Sequence, residues 1–365
     1  MKTVMLWVGT RPEAIKMCPL ALALAKREGL RTVLGLTGQH RDLVTPVLEA
    51  FGVKASYDLS VMREGQGLSS LTAALLTGVE GVLRKERPAL VLVHGDTASA
   101  LACALAAFYE RIPVWHVEAG LRTYDLAAPF PEEMNRQVIG RLSSLDFAPT
   151  ERARENLLRE GKSVDRVIVT GNTVADALAF TVRADFDHPL WWQVAGHPLV
   201  LFTCHRRENR ERMGGLFTAL RRVAAAFPRH RFLFPLHPDP AVREMAFRSL
   251  TGETNVILTE SLDVVTLHNL LARCEMVVTD SGGLQEEALC LHRPVAVLRE
   301  VTERPEGLLT GGAVLLGTHP EAVEEGLLRL LSHPAVIQKR AALPSPYGEA
   351  GASEIIADAV ARFLG

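Results

Sequence analysis

The stretch EMVVTDSGGLQEEALCL, residues 275–291, indicates how this chain folds. Its apolar run at 276–278 predicts a buried β-strand, which the turn Ser281-Gly282-Gly283 follows closely. A helix is then predicted, with Glu286 and Glu287 about one turn into it. Glycines let a bulky group approach the backbone, and the first N–H groups of a helix favour an anion. The stretch therefore predicts a strand–turn–helix unit with a phosphate site, the alternative being a tight turn with solvent-facing glutamates.

Short apolar runs of the same kind recur along the chain, each followed by a polar or glycine turn and a helical pattern. They do not alternate polar with apolar residues, which is typical of strands buried on both faces of a parallel sheet. They lie at residues 3–8, 90–94, 114–117, 167–170, 199–203, 232–236, 276–280, 295–298 and 313–316. Alternation of such strands with helices predicts a doubly wound α/β fold.

Two domains are predicted from the length of 365 residues and from a break in the pattern. The segment at 185–198 contains two prolines and a glycine and resembles a connector, and the pattern restarts near residue 198. Two such halves would place a cleft between them, and ligands of open α/β sheets bind beyond the carboxyl ends of the strands. The strand ends are therefore where functional side chains are expected.

Charge, cysteine content and missing motifs exclude several classes of function. Forty Lys and Arg residues against 42 Asp and Glu residues leave a net charge of −2, which does not favour nucleic acid or an anionic membrane as a partner. The five cysteines form no CxxC pair and are typical of free thiols in a reducing compartment. No signal peptide and no run of the ~18 apolar residues that span a bilayer is evident, so we expect a cytoplasmic protein. Without GxGxxG, GK[ST] or a metal-ligand cluster, we expect no cofactor and no metal.

The first predicted strand ends in GTRPEAIK, residues 9–16. Thr10 and Glu13 have the spacing of a capping box at the start of a helix. Capping does not account for Arg11 and Lys16, because cations near a helix start oppose the favourable sign of the helix dipole. An anion such as a phosphate or a sugar nucleotide explains them better.

Acidic residues follow the next predicted strands. Asp96 and Glu118 each come just past a strand, and the adjacent Glu132 and Glu133 follow two prolines. Helix capping is a strong alternative explanation for Asp96 and for one of the two adjacent glutamates. If such acids meet at one edge, like-charge repulsion raises the pKa of at least one of them and provides acid–base partners.

The second half presents basic residues at its strand ends. His205, Arg206 and Arg207 follow the strand at 199–203. Lone histidines are usually structural, but a histidine followed by two arginines is a candidate anion site. His237 is more ambiguous, because the prolines around it are enough to mark a turn.

Ten segments between residues 9 and 307 together resemble the non-hydrolysing UDP-N-acetylglucosamine 2-epimerases. They are GTRPEAIKMCPL, TGQHRDLV, HGDTASA, HVEAGLRT, PFPEEMNRQ, VTGNTVADAL, HRRENR, LHP, DSGGLQEEA and TERPEG. The resemblance implies the GT-B architecture, in which two Rossmann-like domains with parallel sheets enclose an interdomain cleft, and a homodimer. It implies an N-terminal domain of residues 1–172 plus 351–365 with the catalytic acids, and a UDP-binding domain of residues 173–350.

The same resemblance implies the residues that contact the substrate, UDP-N-acetylglucosamine (UDP-GlcNAc) or its epimer UDP-N-acetylmannosamine (UDP-ManNAc). They are Arg11, Lys16, Asp96, Glu118, His205, Ser281, Gly282, Gly283, Glu287 and Arg304. The SGG turn would hold the diphosphate and Glu287 the ribose. The catalytic set would be Asp96, Glu118, Glu132 and His205. Some members bind a second UDP-GlcNAc as an activator, and the matching positions are Gln39, Gln66, Glu133, Arg207 and His237.

The implied reaction explains the need for several acids. The C2 hydrogen of the sugar becomes acidic only as UDP leaves C1, so anti elimination to 2-acetamidoglucal and re-addition of UDP would invert C2. We expect Asp96 and Glu132 to exchange protons and Glu118 to stabilise positive charge at C1. The product would supply N-acetylmannosamine (ManNAc) units for cell-surface polysaccharide.

Other functions stay open at the level of sequence. A GT-B UDP-sugar glycosyltransferase would need an acceptor site and one base. A hydrolysing 2-epimerase would release free ManNAc and UDP. A non-catalytic sensor of nucleotide sugars would bind without isotope exchange. The three acids of the first half favour epimerisation.

Overall fold

The computed structural model describes residues 1–39, 41–63, 65–206 and 209–365 of the chain. The chain forms two compact units. The first consists of Met1–Phe180 with Tyr347–Gly365, and the second of Thr181–Pro346. In the part of the chain that is described, no helix combines the length and the apolar character required to cross a bilayer.

The first unit contains, within its described residues, a parallel sheet of seven strands. They are β1 (Lys2–Val8), β2 (Leu30–Leu36), β3 (Tyr57–Asp58), β4 (Leu90–His94), β5 (Val114–Val117), β6 (Leu145–Ala148) and β7 (Val167–Val169). Their order across the sheet is β3-β2-β1-β4-β5-β6-β7. At its centre, Met5 of β1 lies opposite Val33 of β2 and Val91 of β4.

The second unit contains, in the residues described for it, a parallel sheet of six strands. They are β8 (Leu199–Thr203), β9 (Arg231–Pro235), β10 (Val256–Thr259), β11 (Met276–Thr279), β12 (Val295–Val297) and β13 (Ala313–Leu315). Their order is β10-β9-β8-β11-β12-β13. Val277 of β11 lies opposite Leu201 of β8 and Val295 of β12.

Helices follow the strands along the chain. They are α1 (Arg11–Ala25), α2 (Arg41–Phe51), α3 (Leu68–Glu86), α4 (Ala98–Tyr109), α5 (Glu132–Leu142), α6 (Glu151–Arg159), α7 (Thr173–Thr181), α8 (Pro189–Val194), α9 (Met213–Ala226), α10 (Pro240–Leu250), α11 (Val264–Leu271), α12 (Gly282–Cys290), α13 (Pro305–Thr310), α14 (Pro320–Leu331), α15 (Pro334–Ala341) and α16 (Ala352–Leu364). The last helix packs on α1 in the first unit, where Arg27 Nη2 lies 2.6 Å from Glu354 Oε2 and 2.8 Å from Asp358 Oδ1.

The central strands are buried along nearly their whole length because apolar residues occupy both of their faces. Val4–Val8 of β1 and all of β4, β8 and β11 are buried. In the second unit, Phe202, Phe217 and Phe234 pack edge to face or tilted within one core cluster. These buried parallel strands confirm the α/β fold class predicted from the non-alternating apolar runs.

Strand order places one topological switch point in each sheet. In the first sheet the chain runs outward from β1 to β3 and then returns to β4 on the other side of β1. In the second sheet it runs outward from β8 to β10 and returns to β11 beside β8. Ligands of such sheets bind at the carboxyl ends of the two strands that flank the switch point. The loops after β1 and β4, and those after β8 and β11, are therefore the candidate positions.

Candidate active site

Thr10 and Glu13 cap the N-terminus of α1, as their capping-box spacing predicts. Buried Glu13 Oε2 accepts hydrogen bonds from the backbone N–H of Thr10 at 2.7 Å and from that of Gly9 at 3.0 Å. Its other oxygen, Oε1, accepts from Thr97 Oγ1 at 2.8 Å. Since Thr97 caps α4, one carboxylate joins the loops on both sides of the switch point.

Lys16 is a buried cation on α1, with 4% of its surface exposed. Its Nζ forms an ion pair with Glu118 Oε2. Arg11, the first residue of α1, is half-buried. The sequence indicated a cation here that needs an anion, and within the protein the anion beside Lys16 is the Glu118 carboxylate.

Glu118 has an unusual backbone. It follows β5 with φ at +59°, in the left-handed region that non-glycine residues rarely adopt. Its Oε2 accepts a hydrogen bond from Asn172 Nδ2 at 2.9 Å and lies 3.6 Å from His94 Nε2. The side chain is buried, so this carboxylate is held in place by protein groups.

Arg136 on α5 bridges two acids that the sequence singled out. Its Nη1 donates to Asp96 Oδ2 at 3.1 Å, and its Nε donates to Glu133 Oε2 at 2.7 Å. Asn135 Nδ2 donates to the backbone carbonyl of Asp96 at 2.8 Å. Sequence reasoning missed Arg136, although the i,i+3 spacing of Glu133 and Arg136 in a predicted helix could have indicated the pair.

Glu133 is fully buried and accepts several hydrogen bonds from the protein. The donors include the backbone N–H groups of Thr123 and Tyr124, each at 3.0 Å, and Gln137 Nε2 at 2.8 Å. Burial alone raises the pKa of Glu133, but the donors and the charge of Arg136 outweigh burial and hold the pKa below its ordinary value. Glu133 therefore anchors the segment that leads into α5, while Glu132, the first residue of that helix, is half-buried.

The positions matched to an activator are spread over helix α5 and several loops. Gln39 Oε1 accepts from Ser99 Oγ at 2.8 Å, and Gln66 Oε1 accepts from the backbone N–H of Arg63 at 3.0 Å. In the second unit, the His237 ring stacks on the His205 ring with centroids 5.3 Å apart. Arg207 lies outside the described residues. An activator contact at these positions stays a prediction.

Asp280, directly after β11, organises the loop after β8. Its buried Oδ2 accepts from the backbone N–H groups of His205 and Arg206, at 2.9 and 2.8 Å, and from Asn209 Nδ2 at 3.0 Å. Its Oδ1 lies 3.4 Å from His205 Nδ1. The packing around the His205 ring lowers its pKa, as do the nearby His237 and Arg206, while the attraction of Asp280 acts in the opposite direction. The sequence placed Asp280 in no role, because its contacts are long-range.

Ser281, Gly282 and Gly283 form the start of α12, as the opening stretch predicts. Ser281 is the N-cap residue, and its Oγ accepts from the backbone N–H of Leu284 at 3.4 Å. A Cβ atom on Gly282 would lie 2.9 Å from Cζ of Arg304 and 3.1 Å from Oε1 of Glu303. The space beside Gly282 is thus occupied by a guanidinium group of the protein itself, which lies at the positive end of the helix dipole.

Glu303 and Glu286 form ion pairs with Arg304 at the start of α12. Arg304 Nη1 lies 2.5 Å from Glu303 Oε1, and Arg304 Nε lies 2.9 Å from Glu286 Oε1. Burial alone raises the pKa of Glu303, but neighbouring guanidinium groups outweigh burial and lower the pKa to about 2. They belong to Arg304, Arg299 and Arg206. The carboxylate therefore stays ionised and fixes cations around the start of α12.

Glu287 is buried one turn into α12. Its Oε2 lies 3.6 Å from Nε2 of His268, a fully buried histidine of α11. His268 Nδ1 is hydrogen-bonded to Thr181 Oγ1 at 2.7 Å. The acid predicted to face a ribose thus rests against a histidine that the second unit holds in place.

Gly282→Ala is expected to lower the melting temperature, because the added methyl group displaces Arg304 from its partners. Gly283→Ala is the matched control for folding: its Cβ would lie 3.8 Å from the nearest described atom, Glu287 Oε1, which is ordinary contact. Differential scanning calorimetry without ligand should show a lower melting temperature for Gly282→Ala than for Gly283→Ala. Equal melting temperatures would contradict the close packing of Arg304.

The two clusters offer different chemistry. At the edge of the first sheet, Asp96 and Glu118 provide carboxylates that each lie beside a cation, which suits proton transfer and stabilisation of positive charge. At the edge of the second sheet, a helix N-terminus with Arg206, Arg304 and His205 suits a phosphate group. In the ranges described, no group of three or more His, Cys, Asp or Glu side chains is placed to hold a metal ion.

Comparison with known proteins identifies the family. Residues 22–361 match the family model of UDP-N-acetylglucosamine 2-epimerase. The UDP-N-acetylglucosamine 2-epimerase of Bacillus subtilis is 44% identical over 97% of this chain and 94% of its own length. The structure of S. aureus MnaA with UDP has a TM-score of 0.95 and 42% identity, covering 100% of this chain and 97% of its own. The enzyme of Neisseria meningitidis bound to UDP-GlcNAc has a TM-score of 0.93 and 39% identity, covering 99% and 100%.

These likenesses confirm the family and the GT-B fold class that the ten segments predicted. The chain belongs to the UDP-N-acetylglucosamine 2-epimerase family, an isomerase family.

Proposed function

We propose that this protein interconverts UDP-GlcNAc and UDP-ManNAc without hydrolysis. The choice of substrate rests on the cations at the start of α12. Arg304 packs on Gly282 there, and Arg206 and His205 belong to the same cluster. A diphosphate is the group that such a set of cations and backbone N–H groups binds. The Neisseria meningitidis relative, solved with UDP-GlcNAc bound, supports the same ligand.

The proposed reaction is an anti elimination followed by re-addition. The bond between C1 and the diphosphate oxygen breaks, and UDP keeps the electron pair. A carboxylate removes the C2 proton, which gives 2-acetamidoglucal and UDP. UDP then returns to C1 while C2 receives a proton on the opposite face. Every bond broken is formed again, so the reaction consumes neither water nor a redox partner.

The carboxylates of the first unit have separate roles in this proposal. Asp96 and Glu132 take and return the proton, since general acid–base catalysis at C2 requires two groups. Glu118, whose carboxylate is paired with Lys16, stabilises positive charge that develops at C1. Asp96 accepts a hydrogen bond from Arg136, which orients its carboxylate.

Incubation of UDP-GlcNAc in D2O, followed by NMR, tests the reaction. We expect deuterium at C2 of both epimers, a signal for UDP-ManNAc and a constant pool of nucleotide sugar by ³¹P NMR. Free ManNAc with stoichiometric UDP would indicate the hydrolysing reaction instead. Epimerisation without deuterium incorporation would exclude the elimination pathway, and binding without any exchange would indicate a sensor.

Finer parts of the proposal concern the setting of the enzyme. We infer that the enzyme works in the cytoplasm as a homodimer. Its product would supply ManNAc units for cell-surface polysaccharide. A second UDP-GlcNAc is proposed to activate the enzyme through Gln39, Gln66, Glu133, Arg207 and His237. The stacking of His237 on His205 supports this, because it connects one activator position to the phosphate cluster. We expect the initial rate to depend sigmoidally on the concentration of UDP-ManNAc. A trace of UDP-GlcNAc should make this dependence hyperbolic.

Glu287→Ala is expected to weaken the binding of UDP by about 10- to 100-fold, the loss of a charged hydrogen bond to the ribose. Isothermal titration calorimetry with UDP measures it. Glu275→Ala is a matched control, because Glu275 also faces a histidine in the second unit, with Oε2 3.1 Å from His230 Nε2. An unchanged affinity in Glu287→Ala would count against the ribose contact.

A further inference from the structure

Asn172 lies between Glu118 and the start of α7. Its Nδ2 donates to Glu118 Oε2 at 2.9 Å, and its Oδ1 accepts from the backbone N–H of Val174 at 3.0 Å. Because the oxygen end of the amide is occupied by an N–H donor, the NH2 end must face the carboxylate. The residue is 2% exposed, so water does not compete for either contact.

The backbone of Asn172 is held as well. Its N–H donates to the carbonyl of Tyr347 at 2.9 Å. The preceding Gly171 has φ at +81°, and a Cβ there would lie 3.2 Å from the same carbonyl oxygen. Asn172 is thus fixed by its backbone and by both ends of its side chain.

Glu118 needs such support because its own backbone is strained. A non-glycine residue in the left-handed region costs of order 1–3 kcal/mol and persists only where the surroundings hold it. Asn172 Nδ2 and Lys16 Nζ contact the same oxygen of Glu118, Oε2, and His94 Nε2 lies 3.6 Å from that oxygen. Oε2 of this carboxylate is therefore held by at least two side chains.

We propose that Asn172 is a positioning residue for the epimerisation, holding Oε2 of Glu118 so that the carboxylate keeps one orientation toward the sugar. Lys16 supplies the opposite charge, but an ammonium group on a flexible stem does not define a direction. The planar amide of Asn172, fixed at its other end, defines it. In this proposal Asn172 acts through Glu118, so its effect on catalysis rests on the proposed function.

The variants Asn172→Ser and Asn172→Asp separate this role from the capping of α7. Ser and Asp are both favoured at the start of a helix, so each can accept from Val174, but neither supplies the amide donor. We expect kcat to fall by ~10-fold or more in Asn172→Ser, because a small misplacement of a catalytic group has this scale of effect. The kcat of Asn172→Asp should fall further, since the charge of the new carboxylate repels Glu118. The Kd for UDP should stay within about twofold in both variants.

Asn255→Ser is the matched structural control. Asn255 is a buried asparagine of the second unit, whose Nδ2 donates to the carbonyls of Ala224 and Phe227. Its replacement removes a buried amide without touching Glu118, so stability should fall while kcat stays near the wild-type value. An equal fall of kcat in Asn255→Ser would overturn the specific role of Asn172.

A double-mutant cycle with Glu118→Gln shows whether Asn172 acts through Glu118. In the Glu118→Gln background, Asn172→Ser should change kcat by less than about twofold, because the group that it positions is already lost. If Asn172→Ser lowers kcat by the same factor in the wild-type and the Glu118→Gln backgrounds, the proposal is overturned. Wild-type kcat in Asn172→Ser would also overturn it.

The same cycle measured by urea unfolding separates this proposal from the proposed reaction. Non-additive unfolding free energies for Asn172→Ser and Glu118→Gln support the pairing even if the wild-type protein places no deuterium in the sugar, a result that would overturn only the reaction. Additive free energies would overturn the pairing, even in an enzyme that epimerises its substrate with deuterium exchange.

Discussion

Replacing Asp96 by Asn is expected to lower the turnover number by ~10²-fold or more, the scale of lost general acid–base catalysis. The amide has nearly the same size as the carboxylate and can still accept the hydrogen bond that Arg136 Nη1 donates at 3.1 Å. The fold and the affinity for UDP should therefore persist while proton transfer fails. Glu132→Gln should show a loss of the same scale. Initial rates at saturating UDP-GlcNAc, followed by NMR, measure both.

Asp58→Asn is the matched control for Asp96→Asn. Both are strand-end aspartates of the first unit that pair with an arginine, and Asp58 Oδ2 lies 3.0 Å from Arg41 Nε. Their side chains are 25% and 26% exposed, so the two changes alter carboxylates of similar exposure. Asp58→Asn should keep wild-type turnover. Wild-type turnover in Asp96→Asn or in Glu132→Gln would refute the role assigned to that residue.

Glu118→Gln is expected to lower both activity and stability. The variant removes the negative charge proposed to stabilise C1, and removal of one such electrostatic group costs ~10²–10³-fold in turnover. It also leaves the buried ammonium group of Lys16 without the carboxylate beside it. An uncompensated buried charge destabilises by about 3–5 kcal/mol. Calorimetry should therefore show a melting temperature lower by about 5 °C or more.

The double variant Lys16→Met, Glu118→Gln distinguishes the two effects. Replacing the cation by an apolar side chain of similar length removes the buried charge that has lost Glu118, so the melting temperature should recover most of its loss. Turnover should not recover, because the charge proposed to stabilise C1 is still missing. Recovery of turnover would mean that Glu118 serves only to pair Lys16, and a low melting temperature would mean that the pair is not the source of the instability.

The fold class could be predicted because the central strands are apolar on both faces. The runs that predicted β1, β4, β8 and β11 all became buried strands. The apolar-run criterion missed β2, β3, β6 and β10. Thr32 interrupts β2, buried Asp146 interrupts β6, and β3 has only two residues, so none of these three contains a clear apolar run. The half-buried edge strand β10 does contain an apolar run at 256–258, which the criterion overlooked.

Local contacts of the site were predictable, and long-range contacts were not. Thr10 with Glu13, and Ser281 with the start of α12, depend on residues three or four apart, and their spacing shows in the sequence. The partner of Lys16 is 102 residues away, and Asp280 binds the backbone of His205, 75 residues away. The group that packs against Gly282 could not be predicted from the sequence either. A glycine indicates that some group approaches the backbone, but not that this group is the guanidinium of Arg304.

The carboxylates of Asp280 and Glu303 have a consequence for affinity. They hold the loop of His205 and the guanidinium groups of Arg206, Arg299 and Arg304 through contacts inside the protein. Such contacts are made during folding, so the diphosphate proposed to bind there would not have to order these groups itself. Preorganisation of this kind reduces the entropy lost on binding. Rigid dianions that match the start of α12 should therefore bind better than flexible ones of equal charge.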